Sequence, residues 1–346
     1  MNSRQRVLAS YRFEAPDACP VEYRYTPVGY YEHGEKLNDL FCQYVGDYDP
    51  PKRQPIPQLG PECFDGDGRY HEFKRDAWGT LWEYRIFGIA GIEKEYPLDD
   101  WAKLADYKMP AQPDWVTDPA AYQAMADMVH AHQQAGYAYR KLGAFKLFER
   151  LIAMRPFEDV LCDLFTDEDE IVQLLDMICD YYEPQIEALI RMGVDVIHFG
   201  DDFGTQTDLI LSPEIFKNHF KPRYERLMRP IRQAGINVHF HSCGKIDRLF
   251  EDLKQVGVDS IWPQVPAYDM QRLADTLRDL QMSIAIHTDR GGVMTHGTPE
   301  QVRDLVKQEY NTFRPDKGGA WYYIEVDNGM PFENVQALVE EVFSYR

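Results

Sequence analysis

From about residue 120 the chain alternates between two hydrophobic patterns. Short apolar runs rich in β-branched and aromatic residues occupy 137–140, 194–199, 236–241, 258–262, 282–286 and 320–324. Between them lie stretches whose apolar positions recur every three to four residues. The first predicts a helix over 119–134. Asp167-Glu168-Asp169-Glu170 opens a longer one, with acid in its first turn to complement the helix dipole. It runs to Met192, where Gly193 is a natural terminator. Ser212-Pro213-Glu214 starts another, with Ser at N-cap and Pro at N1. Further helices are predicted over 246–256, 269–280, 298–312 and 332–345. About seven strand–helix units follow one another, which implies a parallel sheet. So many units in one chain favour a (β/α)8 TIM barrel over an open doubly wound sheet. No Gly-x-Gly-x-x-Gly follows a strand and there is no P-loop, so a nucleotide-binding sheet loses ground.

Residues 1 to about 120 read differently. Pro and Gly are frequent, as in Asp49-Pro-Pro-Lys-Arg-Gln-Pro-Ile-Pro57, and aromatics are dense, as in Trp78-Gly-Thr-Leu-Trp82-Glu-Tyr84. Disordered segments are poor in aromatics, so short strands and long loops are expected. The whole chain, 1–346, is read as one barrel domain, with 1–120 packing on the regular part, 121–346.

Composition narrows the classes of partner. The formal charge is −20, from 57 acidic and 37 basic residues. Phosphate backbones need Lys and Arg, so nucleic acid is an unsuitable partner, as is an anionic membrane surface. No run approaches the length of a membrane span. The N-terminus leads into no apolar segment, so no secretory signal is expected and a soluble cytoplasmic protein follows. Six well-separated cysteines in no C-x-x-C pair read as reduced thiols.

The chemistry concentrates at the predicted strand ends, which in a barrel face one shared cavity. Those positions hold Asp201 and Asp202, then His239, His241 and Cys243, then Gln264, His287 and Asp289, and last Glu325 and Asp327. Titratable groups taken out of water are costly unless paired or metal-bound. His241 and Cys243, two apart on a strand, point to one face, and imidazole with thiolate is a donor set zinc prefers. The same pair also reads as a hydrogen-bonded core histidine beside a small buried hydrophobe. Asp201, Asp202 and Asp327-Asn328-Gly329 carry turn signatures, and Asp289-Arg290 reads equally as an ion pair.

Taken with these positions, a set of longer motifs resembles the uroporphyrinogen decarboxylase superfamily, and within it the corrinoid-dependent methyltransferases. They include Gly200-Asp-Asp-Phe-Gly204-Thr-Gln206, Ser212-Pro213-Glu214-Ile-Phe216, Leu147-Phe148-Glu149-Arg150, Gly297-Thr298-Pro299-Glu300 and Glu333-Asn334-Val335. His241-Ser-Cys243-Gly244 matches that family's His-x-Cys-Gly zinc motif. The resemblance implies a barrel with its cleft at the strand C-termini, and a zinc site acting with the cobalt of a corrinoid (cobalamin) carried by a partner protein. The coenzyme M methyltransferases of the family add a second zinc cysteine after the last strand. Here no cysteine follows Cys243, and Glu325 and Asp327 occupy that region. The expected metal ligands are therefore His241 and Cys243 with Glu325, ahead of Asp327. A carboxylate in place of a thiolate makes a harder, more electrophilic site, which suits an oxygen-bound methyl donor. The expectation is zinc-dependent methyl transfer from a small methylated substrate, a methoxylated aromatic among them, to the corrinoid protein. Asp201, Asp202 and His287 are the expected catalytic residues, and Gln206, Gln264 and His239 are expected on the substrate side. A homodimer is also expected, since barrels of this family often pair. A cofactor-free decarboxylase and a non-catalytic barrel that binds a corrinoid partner stay open as alternatives.

Overall fold

The computed structural model describes residues 1–346, the side chains of Leu142, Gly143 and Ala144 excepted. Its ten strands are β1 (Val21–Arg24), β2 (Glu72–Arg75), β3 (Leu81–Tyr84), β4 (Ile92–Glu95), β5 (Arg140–Phe145), β6 (Val196–Gly200), β7 (Asn237–Ser242), β8 (Ser260–Pro263), β9 (Ser283–Ile286) and β10 (Ala320–Glu325). Strands β2 to β4 form a small antiparallel sheet. The other seven form one curled parallel sheet in the order β1-β10-β9-β8-β7-β6-β5. This is a TIM-barrel-like fold whose strands follow one another around the barrel in chain order.

Helices between successive strands cover the outside. Helix Pro119–Gln134 starts at Asp118, whose side chain accepts from the amides of Ala120 and Ala121. Helix Asp169–Met192 ends at Gly193 in the left-handed conformation. Helix Pro299–Phe313 carries a capping box between Thr298 and Gln301. Among the described residues, no helix is long and apolar enough to cross a membrane.

Strand parity divides the interior. Val238 and Phe240 of β7 join the large core between sheet and helices, with Ile197, Ile261, Ile284 and Ile324. The opposite parity faces the barrel axis. There Val196, Ala285, Trp321 and Tyr323 pack with Tyr11 and Tyr48 in a smaller cluster. His239, Ser260 and Ser283 are also fully buried. The central layer is thus partly polar, where barrels of this type usually stack branched aliphatics.

Two features depart from the sequence reading. The barrel strand expected at 137–140 begins where that run ends, at Arg140, and the carbonyl of Tyr139, which accepts from the amides of Asp195 and Val196, opens its pairing with β6. The N-terminal part also does more than cover the barrel, since it supplies β1, paired with β10 from Val21↔Tyr322 to Arg24↔Glu325. Four residues flanked by Pro20 and Pro27 are too short to stand out by periodicity.

Strands β1 and β5 form the two edges of the sheet. A buried ion pair bridges this seam: Arg140 on β5 meets Glu22 on β1, with side chains only 6% and 4% exposed. The Nε1 of Trp321 also donates to Glu22, at 3.3 Å. Removing one member of such a pair strands the other charge, while removing both is far milder. Arg140→Met is expected to lower unfolding free energy by about 3–5 kcal/mol. The double variant Arg140→Met/Glu22→Gln should regain most of that loss in the same chemical denaturation experiment.

Candidate functional site

Strands β6 and β7 pair in register from Val196↔Asn237 to Gly200↔His241. The amide of Asp201 continues this pairing to the carbonyl of His241, at 3.0 Å. The next residues then emerge side by side at the barrel mouth. The Nε2 of His241 lies 3.5 Å from Oδ1 of Asp202 and 3.4 Å from Sγ of Cys243. The amide of Cys243 donates to the same Oδ1 at 2.7 Å. One ligand atom from each of Asp202, His241 and Cys243 falls within 4.8 Å of the other two.

The two loops are fastened by glycine. Gly244 has φ +73°, and its Cα abuts the backbone of Gly204, so a Cβ there would collide with the Gly204 carbonyl. Gly204 is equally hemmed in by Gly244 and Lys245. The close approach lets the amide of Lys245 donate to the carbonyl of Thr205 at 2.7 Å. The amide of Gly244 donates to Oε1 of Gln264 at 3.0 Å. Gln264 in turn exchanges a hydrogen bond with Gln206 at 3.2 Å.

These residues fit a divalent metal. Ligands 2.0–2.3 Å from a tetrahedral zinc ion lie roughly 3.3–3.8 Å apart, and the two distances from His241 fall in that range. Nδ1 of His241 is 2.9 Å from the carbonyl of Trp262, an acceptor only, so Nδ1 carries the proton. Nε2 therefore turns a lone pair towards Cys243 and Asp202, the usual way a ligand imidazole is oriented. Burial keeps His241 neutral by lowering its pKa, against the pull of Asp202. Burial and the nearby Asp202 push the Cys243 thiol up to about 12, so without a cation it keeps its proton.

The other predicted residues are placed as follows. Asp201 is fully buried and points back into the fold. It accepts from the amides of Leu147 and Glu149, both at 2.7 Å, and from the hydroxyl of Tyr224. Its structural task is to fix the turn after β5. That turn presents Lys146 and Glu149, joined at 2.6 Å. Burial first, then Asp201 and Asp202, raise the Glu149 carboxyl to about 7, although Lys146 opposes this. Sequence reading singled out neither residue for chemistry. Glu149 stood there only as one letter of a longer motif.

Glu325 and Asp327 stand apart from the metal-capable group, because β10 is three strands from β7 while β6 is its direct neighbour. The carboxylate beside His241 and Cys243 is Asp202. Glu325 faces His287, with Oε2 4.0 Å from Nε2, and Asp327 holds Arg290 at 3.0 Å. Asp289 accepts from the amides of Gly292 and Val293 and shapes its own loop, so the partner of Arg290 is Asp327. His239 shares the strand face of His241 but lies one level deeper. It is fully buried, bonded to Ser260 at 2.6 Å and stacked on His198, away from the cavity.

That cavity, of about 160 Å³, opens beside the metal-capable group. Its walls include His241, Cys243, Trp262, Gln264, His287 and Arg290. Trp262 connects them: its ring lies 3.9 Å from that of His241 and 4.2 Å from that of Tyr323. Its indole Nε1 donates to Nδ1 of His287 at 3.1 Å.

Residues 96–345 match the model of the uroporphyrinogen decarboxylase (URO-D) family, and the chain belongs to that family. Within it, the chain is similar to two curated proteins named methylcobamide:CoM methyltransferase MtbA. Identity to that of Methanosarcina acetivorans is 22% over 146 residues, 42% of each chain. Identity to that of Methanosarcina mazei is 22% over 186 residues, 53% of this chain and 52% of the relative. The matches thus span about half the length of these relatives at most. A solved methyltransferase from Methanosarcina mazei shares the fold, with a TM-score of 0.66 at 14% identity over 100% of this chain and 99% of that one.

The anchoring task of Asp201 is open to a direct check. Asp201→Ala leaves two amides and a buried hydroxyl without their acceptor, at about 1–3 kcal/mol for each unsatisfied group. A loss of about 3 kcal/mol or more in denaturant unfolding is expected. Faster proteolysis near residues 145–150 should accompany it.

Proposed function

We propose that this protein is a corrinoid-linked methyltransferase that moves a methyl group between a small methylated substrate and the cobalt of a corrinoid protein. In this reading Asp202, His241 and Cys243 hold a zinc ion and leave a fourth position open. The observation that carries it is the meeting of a carboxylate, an imidazole lone pair and a thiol at ligand-to-ligand spacing beside a cavity. Three protein ligands with a vacancy is the catalytic rather than the structural pattern for zinc. The names of the two curated relatives support methyl transfer as the reaction class.

When bound, zinc supplies a Lewis acid for the heteroatom that carries or receives the methyl group. The protein does the rest. Trp262, Pro263 and Pro266 give the cavity an apolar wall, with Tyr323 packed against Trp262, and Gln264 and Arg290 give it polar ends. A methoxylated aromatic suits that lining, and an oxygen donor suits a site with one carboxylate among its ligands. Glu149, held beside Lys146 and within the electrostatic reach of Asp202, is an acid poised near neutrality. The reduced corrinoid approaches through the open mouth of the barrel, where all these groups lie.

Protein purified without added metal is expected to contain one zinc per chain by elemental analysis, and Cys243→Ala is expected to contain none. Wild type supplied with a methoxylated aromatic and a reduced corrinoid protein should form methylated cobalt, seen as a change in the corrinoid absorption spectrum. A zinc-free wild type that forms no methyl–cobalt with any methylated donor overturns the proposal.

The protonation states set a pH dependence as well. Burial favours neutral His241, and the Cys243 thiol, pushed up to about 12, is the group that must lose a proton on binding. Zinc affinity should therefore rise with pH, roughly tenfold per unit between pH 6 and 8. Calorimetry in two buffers should find one proton released. Asp202→Asn should bind zinc about 10- to 100-fold more weakly with that proton count unchanged.

A further inference from the structure

Trp262 faces two imidazoles with two different groups. Its carbonyl accepts from Nδ1 of His241, and its indole N–H donates to Nδ1 of His287. An indole nitrogen only donates, so Nδ1 of His287 is the acceptor of that ring. Burial, reinforced by Arg290 and His241, keeps the ring neutral. Its single proton is therefore on Nε2. One residue, through its carbonyl and its indole, has set two histidines in opposite tautomers: His241 keeps a lone pair on Nε2, and His287 carries its N–H there.

The Nε2 of His287 is buried and has no hydrogen-bond partner among the described residues. The carboxylate oxygen of Glu325 is 4.0 Å away, too far for a hydrogen bond. A buried donor left unmade is costly, so such an atom points to an acceptor that arrives with a ligand. His287 lines the cavity that also holds His241 and Cys243. The donor thus belongs to a residue on the wall of the space where the substrate's heteroatom would sit. An ether, phenol or carboxylate oxygen accepts this hydrogen bond, whereas a quaternary ammonium has no lone pair to offer.

We propose that Trp262 is a positioning residue that locks His287 as a fixed Nε2–H donor, and that this donor selects an oxygen-linked methyl compound over a methylated ammonium. The substrate part of this inference rests on the methyl-transfer reading, while the tautomer does not. The hydrogen bond orients the oxygen, and the proton stays on His287.

The test is nitrogen-15 NMR of histidine-labelled, zinc-loaded protein at pH 7, with His287 assigned through His287→Gln. Wild type should show His287 as the neutral Nε2–H form. In Trp262→Phe, His287 should become a mixture of both tautomers, while His241, held by a backbone carbonyl, stays as it was. A wild-type His287 that is Nδ1–H or doubly protonated overturns the proposal. The ligand probes are 2-methoxyphenol and tetramethylammonium. The first should move the Nε2–H resonance and bind Trp262→Phe about five- to tenfold more weakly than wild type, the worth of one neutral hydrogen bond. The second should leave that resonance in place. Movement by tetramethylammonium, or none by 2-methoxyphenol, overturns the selection of oxygen. Zinc content and turnover are separate readouts. A correct tautomer in an enzyme that transfers no methyl group sinks the functional reading alone, and a reversed tautomer in an active enzyme sinks this inference alone.

Discussion

The parallel pairing of β6 with β7 is the constraint on which the rest of the site depends. Its register sets Gly200 against His241, and one more backbone bond, from Asp201, carries the pairing to the strand ends. From there Asp202 and Cys243 have no choice of neighbour. A slip of one residue would turn His241 and His239 out among the helices and bring Val238 and Phe240 onto the barrel axis. The large apolar core forbids this, because those two side chains are fully buried in it. Hydrophobic packing on the outside of the sheet thereby fixes the metal-capable group on the inside.

The site is built from buried polar groups, and each has its own support. Asp201 spends its carboxylate on two amides and a tyrosine hydroxyl. The crossing of Gly204 and Gly244 brings two loops closer than any side chain would permit. Trp262 binds one imidazole through its backbone and another through its ring nitrogen. Low local dielectric strengthens these contacts and makes any unpaired group expensive. The same environment shifts Glu149, His287 and Cys243 away from their ordinary pKa values, in each case chiefly through burial. Groups so perturbed cluster at functional sites.

The barrel interior repeats this theme at a deeper level. Arg140 and Glu22 join the two edge strands through a salt bridge where backbone pairing would close a complete barrel. Such a pair adds little net stability over an apolar replacement but is strongly destabilising when only one member is lost. It ties the N-terminal segment to the rest of the sheet, and so places Arg24 beside Glu325 at the rim.

Much of this architecture was legible in the chain itself. Alternating hydrophobic periods located most of the barrel strands and helices to within a few residues, because long amphipathic helices and buried parallel strands leave strong local patterns. The His-x-Cys-Gly loop also stood out, since two metal-capable side chains two residues apart need only strand geometry to share a face. The first barrel strand did not, being four residues long between prolines. Nor did the partner of His241 and Cys243. Chain position favoured Glu325, ahead of Asp327, and only strand order makes Asp202 the neighbour and leaves Glu325 three strands distant. The roles of Asp201, Glu149 and Trp262 were hidden for the same reason. The local pattern determined which segments form strands and which face each residue takes, because those depend on periods of two and 3.6. Which side chains meet across strands was decided by tertiary packing alone, because contact between residues far apart in the chain has no period to read.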